Sequence, residues 1–312
     1  MGKKIRVAVI GAGYLGRLHA EKYARIDGAE LVGVADTDVE RAREVAASNG
    51  TAACASHKDL FGRVDAVSIV TPTESHARIG LDFLSKGVDV LMEKPIAVTV
   101  KGAARLVAEA RRTKAVLQVG HLERFNAAVA RLRGMVKKPV YIETQRLAPF
   151  PNRGTDVSVA LDLMIHDIDI VLSMVKSPVK SIEAVAMPVV SGMADFANAR
   201  VAFKNGCVAN LTASRAARDR VRTLHLFQEG ENIKIDYIAQ SLVVSRKAGF
   251  DAGGKVAFEE VALEKSDSLL EELKAFVESS SRRTKPAVSG TDGMKALELA
   301  HMIQAAAKRR RR

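Results

Sequence analysis

Two short groups in this chain carry the residue types of acid–base chemistry: Glu93-Lys94-Pro95 and Asp162-x-x-x-His166. A lysine pinned by proline at the end of an apolar run has little freedom to swing into solvent, and the proline raises the chance of a cis bond. Asp162 and His166 stand four positions apart, so on a helix they can touch, the carboxylate setting the imidazole tautomer while the other ring nitrogen works as a base. Across residues 157–174, Ser158, Asp162, His166, Asp169 and Ser173 fall within about 80° of one another at 100° per residue. Most of the remaining positions there are Val, Ile, Leu, Met or Ala. The stripe holds no Lys, Arg or Glu, the usual coat of a solvent face, and so reads as the lining of a narrow, partly dry cavity. A third group, Thr71-Pro-Thr-Glu-Ser-His76, follows another apolar run.

The chemistry that such groups could serve is indicated upstream. The run IRVAVI breaks into Gly11-Ala-Gly13-Tyr14-Leu15-Gly16, and Asp36 follows at the end of a second apolar run. A strand before the glycines, a helical segment after them and an acidic residue about 20 positions on complete a dinucleotide-binding fingerprint. The glycines let the backbone turn tightly and approach a pyrophosphate, which then rests on the N–H groups opening the helix. Asp36 is expected to accept from the adenosine ribose hydroxyls and to repel a 2′-phosphate, favouring NAD over NADP.

These residues need elements to hold them. Residues 5–10, 30–35, 65–70, 88–92 and 115–119 read as buried parallel strands, with helical patterns at 14–26, 38–48, 74–86 and 99–113. That alternation predicts βαβ units and a doubly wound sheet, whose ligands collect at the carboxyl ends of its strands. Thr71 and Glu93-Lys94 stand at two such ends. Near residue 121 the pattern changes, and beyond about 178 it becomes antiparallel, with runs at 199–204, 207–213, 223–228, 232–237, 241–245 and 255–261. Asn205-Gly206 and Ala252-Gly-Gly254 mark turns, and helices at 266–281 and 292–308 close the chain. The expectation is an α/β protein of two domains: a dinucleotide-binding Rossmann domain at 1–121, and an α+β domain at 122–312 with a large open, mostly antiparallel sheet, its closing helix packing back on the first domain.

Composition narrows the function classes. The 312 residues are 47% hydrophobic and 27% charged, with no apolar run long enough to cross a membrane and no secretory segment before the first strand. Cys54 and Cys207 lack metal or redox spacing and read as free thiols in a cytoplasmic protein. The formal net charge is +12, of which the terminal Lys308–Arg312 run supplies five. With aromatics at 4% and no Trp, stacking on nucleic acid is disfavoured, and the positive balance suits anionic small molecules. A metal site on His166, Asp167 and Asp169 is not expected, because Asp167 points about 100° away from His166. His19, His57, His225 and His301 have no partner pattern and read as structural.

Gly11-x-Gly13-x-x-Gly16, Thr71-Pro72…His76, Glu93-Lys94-Pro95 and Asp162-x-x-x-His166 together resemble the glucose–fructose oxidoreductase/inositol dehydrogenase/MocA family, over essentially the whole chain. The resemblance implies an NAD(P)-dependent oxidoreductase in which Lys94, Asp162 and His166 line the substrate pocket, with Glu93 and His76 contacting or flanking the nicotinamide half. It also implies a homo-oligomer formed through the C-terminal sheet. Gly120-His-Leu-Glu-Arg124-Phe-Asn126, Arg146-Leu-Ala-Pro-Phe-Pro-Asn-Arg153 and Asp162–Asp169 are similar to the sugar-nucleotide branch, which oxidises the 3-hydroxyl of UDP-N-acetylglucosamine so that an aminotransferase can act on the ketone. Ala127 departs from the branch, where proline is expected. Arg124, Arg146 and Arg153 are candidates for clamping a diphosphate, and Asn126 and Asp169 for contacting substrate.

The reaction expected is hydride transfer from a carbinol C–H to nicotinamide, with His166, oriented by Asp162, as base and Lys94 stabilising the alkoxide. Lys94 and His166 can exchange these roles, since two cations in one pocket titrate jointly. Oxidation of a free polyol, inositol or hexose is the alternative, and a non-catalytic dinucleotide sensor the further one.

Overall fold

The computed structural model describes residues 4–150, 157–248 and 256–310. Arg153 and the Ala252-Gly-Gly254 turn lie outside these residues. The chain forms two compact units, one of Met1–Leu122 with Asp267–Met294 and the other of Glu123–Ser266 with Lys295–Arg312.

The first unit is a parallel sheet of six strands: β1 (Ile5–Ile10), β2 (Ala29–Ala35), β3 (Ala53–Cys54), β4 (Ala66–Ile69), β5 (Asp89–Glu93) and β6 (Leu117–Gly120), in the order β3-β2-β1-β4-β5-β6. The strands are covered on both faces, which is why they read as unbroken apolar runs. Val7, Ala8, Val9, Val67 and Leu91 have no exposed surface. Helices α1 (Tyr14–Tyr23), α2 (Val39–Ser48), α3 (Thr73–Leu84) and α4 (Val100–Thr113) connect them. The strand order reverses at β1, so right-handed crossovers place α1 and α2 on one face and α3 and α4 on the other.

The second unit is built on eight strands: β7 (Pro139–Leu147), β8 (Val179–Met187), β9 (Phe196–Phe203), β10 (Val208–Ser214), β11 (Val221–Gln228), β12 (Glu231–Asp236), β13 (Ser241–Lys247) and β14 (Val256–Val261). Their order is β14-β13-β12-β11-β7-β10-β9-β8. Every neighbouring pair is antiparallel except β7 with β10. Asn205-Gly206 turns β9 into β10, with Gly206 at φ +90°. Helices α5 (Ala127–Arg133) and α6 (Ile165–Met174) supply Val129, Leu132, Ile165, Ile168 and Val171 to the core beneath the sheet.

Two features depart from the sequence reading. The sequence reading places no strand at β7, although Ile142, Thr144 and Arg146 alternate inward there; Thr144 and Arg146 are polar at positions only 1% and 2% exposed and so hide the period of two. The closing helices also divide differently from a contiguous second domain at 122–312. Helix α7 (Ser268–Arg282) belongs to the first unit, where Leu273, Phe276 and Val277 pack with Val7, Val9, Ala20 and Tyr23. Arg283 ties its end to Asp89 at 2.6 Å, and Gln118 donates to the Glu272 carbonyl at 3.1 Å. Helix α8 (Gly290–Arg310) starts against β6, where a Cβ on Gly293 would lie 2.6 Å from Val119. From Lys295 onward it belongs to the second unit, burying Ala296, Leu299, Ala300, Ile303 and Ala307.

Candidate active site

The loop leaving β1 has the geometry that its three glycines predict. Gly11 sits at φ +102°, and a Cβ there would lie 2.7 Å from the Val70 carbonyl oxygen. A Cβ on Gly16 would lie 1.8 Å from the Gly11 oxygen, so only glycine lets α1 pack this close to the loop. Gly13 differs from both: a Cβ would meet nothing within 4 Å. The space over it is open, and the first turn of α1 carries neither a side-chain cap nor an acidic residue. Uncapped N–H groups over an open glycine fit a pyrophosphate. Tyr14 and Leu15 flank this turn as exposed apolar side chains. Asp36, just past β2, reaches the same loop, its carboxylate accepting from Ala12 N at 2.6 Å and Asp38 N at 2.9 Å. Residues 11–16 and Asp36 therefore come together as one cradle that fits a dinucleotide.

At the carboxyl end of β5 the Lys94–Pro95 peptide is cis, and Lys94 is partly exposed. Glu93 behind it is buried. Its carboxylate lies 3.3 Å from His19 Nε2 and accepts from Lys94 N at 3.2 Å. A Cβ on Gly120 would fall 2.9 Å from that carboxylate. Burial alone would raise the Glu93 pKa, but His19 and Lys94 outweigh it and hold the carboxyl below its ordinary value. His76, on α3, is 1% exposed. Its Nδ1 lies 2.9 Å from the Pro95 carbonyl and its Nε2 2.8 Å from the Thr71 carbonyl. Burial lowers the His76 pKa. Thr71 shares a 2.6 Å hydrogen bond with Ser75 Oγ.

Both side chains are thus buried and face protein groups at the carboxyl end of β5, His76 the Thr71 and Pro95 carbonyls and Glu93 the Lys94 amide and His19. His19 is the residue that sequence reading missed. Its partner lies 74 positions away, beyond the reach of any local pattern.

In the second unit the polar helix is less uniform than its sequence. A π-helical turn, Ala160–Met164, precedes α6, so the wider turn spoils a strict 100° count through Asp162. Asp162 and His166 are partly exposed, whereas Asp167 and Asp169 are buried. Arg124 clasps Asp169 with Nε at 2.5 Å and Nη2 at 2.9 Å. Arg146 clasps Asp167 at 2.8 and 3.0 Å and adds Glu123 at 2.8 Å. Burial works against the Arg146 charge, but Asp167 and Glu123 hold its pKa above the ordinary value. Burial raises Asp167, and Arg146 pulls it back part of the way. Asn126 caps α5 through Ala128 N at 3.1 Å and donates to the Tyr237 carbonyl at 2.9 Å. Ser158 accepts from Gln304, and Ser173 bonds the Ile170 carbonyl at 2.6 Å.

The diphosphate clamp assigned to Arg124 and Arg146 is therefore withdrawn. Their guanidinium forks face internal carboxylates, since a buried charge needs a buried partner. Asp169 and Asn126 are likewise engaged within the unit. Of the stripe, Asp162 and His166 are the carboxylate and imidazole that remain partly exposed.

Among known proteins, the model described as "Oxidoreductase family, NAD-binding Rossmann fold" matches residues 5–121. The GFO/IDH/MocA C-terminal domain model matches residues 110–232. A UDP-N-acetylglucosamine 3-dehydrogenase from Acidithiobacillus ferrooxidans is 37% identical over 305 residues, 97% of each chain. A solved structure of the enzyme of that name and organism superposes with a TM-score of 0.93 at 36% identity, covering 98% of both chains. A myo-inositol 2-dehydrogenase from Thermotoga maritima is 28% identical over 329 residues, 98% of this chain and 97% of that one.

Proposed function

The chain belongs to the GFO/IDH/MocA oxidoreductase family and is an NAD-dependent dehydrogenase acting on CH–OH groups, and we propose that it oxidises the 3-hydroxyl of UDP-N-acetylglucosamine to the 3-keto sugar. The observation that carries this reading is the full-length similarity to an enzyme of that specificity, which exceeds the similarity to the inositol dehydrogenase. The diphosphate of such a substrate also suits a positively charged chain.

Residues 11–16 and Asp36 hold the cofactor, and NAD⁺ bound there supplies the acceptor for the hydride that leaves the carbinol carbon. The hydroxyl must lose its proton as that hydride departs, which calls for a base of near-neutral pKa. His166 takes the proton, with Asp162 orienting the imidazole. Lys94 stabilises charge developing on the oxygen, and the two groups can exchange the roles of neutral base and cation. The product carries a ketone, the group that an aminotransferase acts on. The second sheet, which displays Phe227 and Phe258 at 39% and 73% exposure, is the surface for assembly of like chains.

The test is a rate comparison. NAD⁺ and NADP⁺ are crossed with UDP-N-acetylglucosamine, myo-inositol and glucose, and the absorbance of the reduced nicotinamide is followed. Turnover with the UDP-sugar and NAD⁺ is expected. Turnover confined to myo-inositol or glucose would replace the substrate with a free polyol or hexose, and no turnover with any of them would remove the substrate assignment.

A further inference from the structure

Lys94 is flanked in sequence by two residues that each face a buried histidine. On one side, His19 from α1 has no exposed surface and faces the Glu93 carboxylate at 3.3 Å. The other Glu93 oxygen holds the Lys94 amide at 3.2 Å, and Gly120 leaves the space that the carboxylate occupies. On the other side, His76 from α3 places Nδ1 2.9 Å from the Pro95 carbonyl and Nε2 2.8 Å from the Thr71 carbonyl at the end of β4. A neutral imidazole can donate to only one of those carbonyls; donating to both requires the imidazolium. Buried polar side chains are costly where an apolar one would fill the space, and here both converge on a single turn from opposite faces of the sheet.

We propose that His19 and His76 are positioning residues that clamp the Glu93–Lys94–Pro95 turn and so fix the Lys94 ammonium for the reaction. The inference rests on the reading that Lys94 acts in catalysis, but the clamp can be tested apart from it. In the full-length protein, reductive ¹³C-dimethylation of lysines gives a Lys94 resonance, assigned by its loss in Lys94→Arg. Its chemical shift and titration are compared between wild type, His19→Leu and His76→Ala, and kcat with UDP-N-acetylglucosamine and NAD⁺ is measured on unmethylated protein.

Each variant is expected to move the Lys94 resonance and to lower kcat by about 10–100-fold, as expected from a small misplacement of a reacting group, while NAD⁺ still binds in a fluorescence titration. His19→Gln and His76→Gln, which keep one N–H donor, are expected to recover part of both readouts. An unmoved Lys94 resonance in both variants would overturn the clamp. So would a fall in kcat with that resonance unchanged, the mark of a general packing defect. Full activity in Lys94→Ala would instead remove the catalytic reading and leave the clamp to be decided by the resonance.

Discussion

Lys94 and His166 carry the chemistry in the function proposed here, and their side chains are open to test. Lys94→Ala and His166→Ala are each expected to lower kcat by about 10²–10⁴-fold, the usual contribution of a positioned acid or base. NAD⁺ affinity, measured by fluorescence titration, should stay near wild type, because the proposed cradle for the dinucleotide is residues 11–16 and Asp36. Arg146 separates a binding role from a structural one. If it held a diphosphate, removing it would raise KM for the sugar nucleotide and leave stability alone. Bonded as Arg146 is to Asp167 and Glu123, Arg146→Met leaves buried Asp167 without its cation and Glu123 with only Arg222, at 3.6 Å. A loss of about 3–5 kcal/mol is expected, read as a lower urea midpoint at unchanged m-value.

At the scale of an element, the turn from β1 into α1 contains two glycines with opposite reasons to be glycine. Gly16 is required by the protein, since its Cβ would collide with the Gly11 carbonyl. Gly16→Ala is expected to cost about 1–3 kcal/mol through overpacking and to weaken NAD⁺ binding along with it, both visible in a thermal melt with and without cofactor. Gly13 meets no protein atom within 4 Å of its Cβ position, so under the proposed function its glycine makes room for the cofactor. Gly13→Ala is therefore expected to leave the melting temperature of the ligand-free protein unchanged while NAD⁺ affinity falls by about tenfold, roughly 1.4 kcal/mol. A Gly13→Ala protein that melted early would show that the open space belongs to packing instead.

The whole molecule is assembled from segments distant in the chain. The Rossmann unit is completed by α7, some 150 residues beyond its last strand, through Leu273, Phe276 and Val277. Each such side chain contributes about 1.5–3 kcal/mol when fully buried, so a fragment of residues 1–122 alone should expose an apolar face. It is expected to bind a hydrophobic dye and to lack a cooperative melt by circular dichroism. Joining residues 267–294 to it through a flexible linker should restore the transition. A cooperative melt in the short fragment would show that α7 is dispensable.

Much of the fold and of the glycine-loop geometry was legible in the sequence because both rest on local order. Gly11, Gly13, Gly16 and Asp36 lie on two consecutive βα units, and buried parallel strands announce themselves as unbroken apolar runs. The hairpin at Asn205-Gly206 was legible for the same reason, since a two-residue turn is set by its own residues. What only the tertiary structure decided are partnerships between buried polar groups: His19 with Glu93, Arg124 with Asp169, and Arg146 with Asp167 and Glu123. From the sequence these read as a bystander histidine, a ligand carboxylate and a phosphate clamp. Residue types state what a side chain can bond, but which partner it takes depends on burial, and burial is a property of the packed chain in which a charge removed from water must meet its opposite.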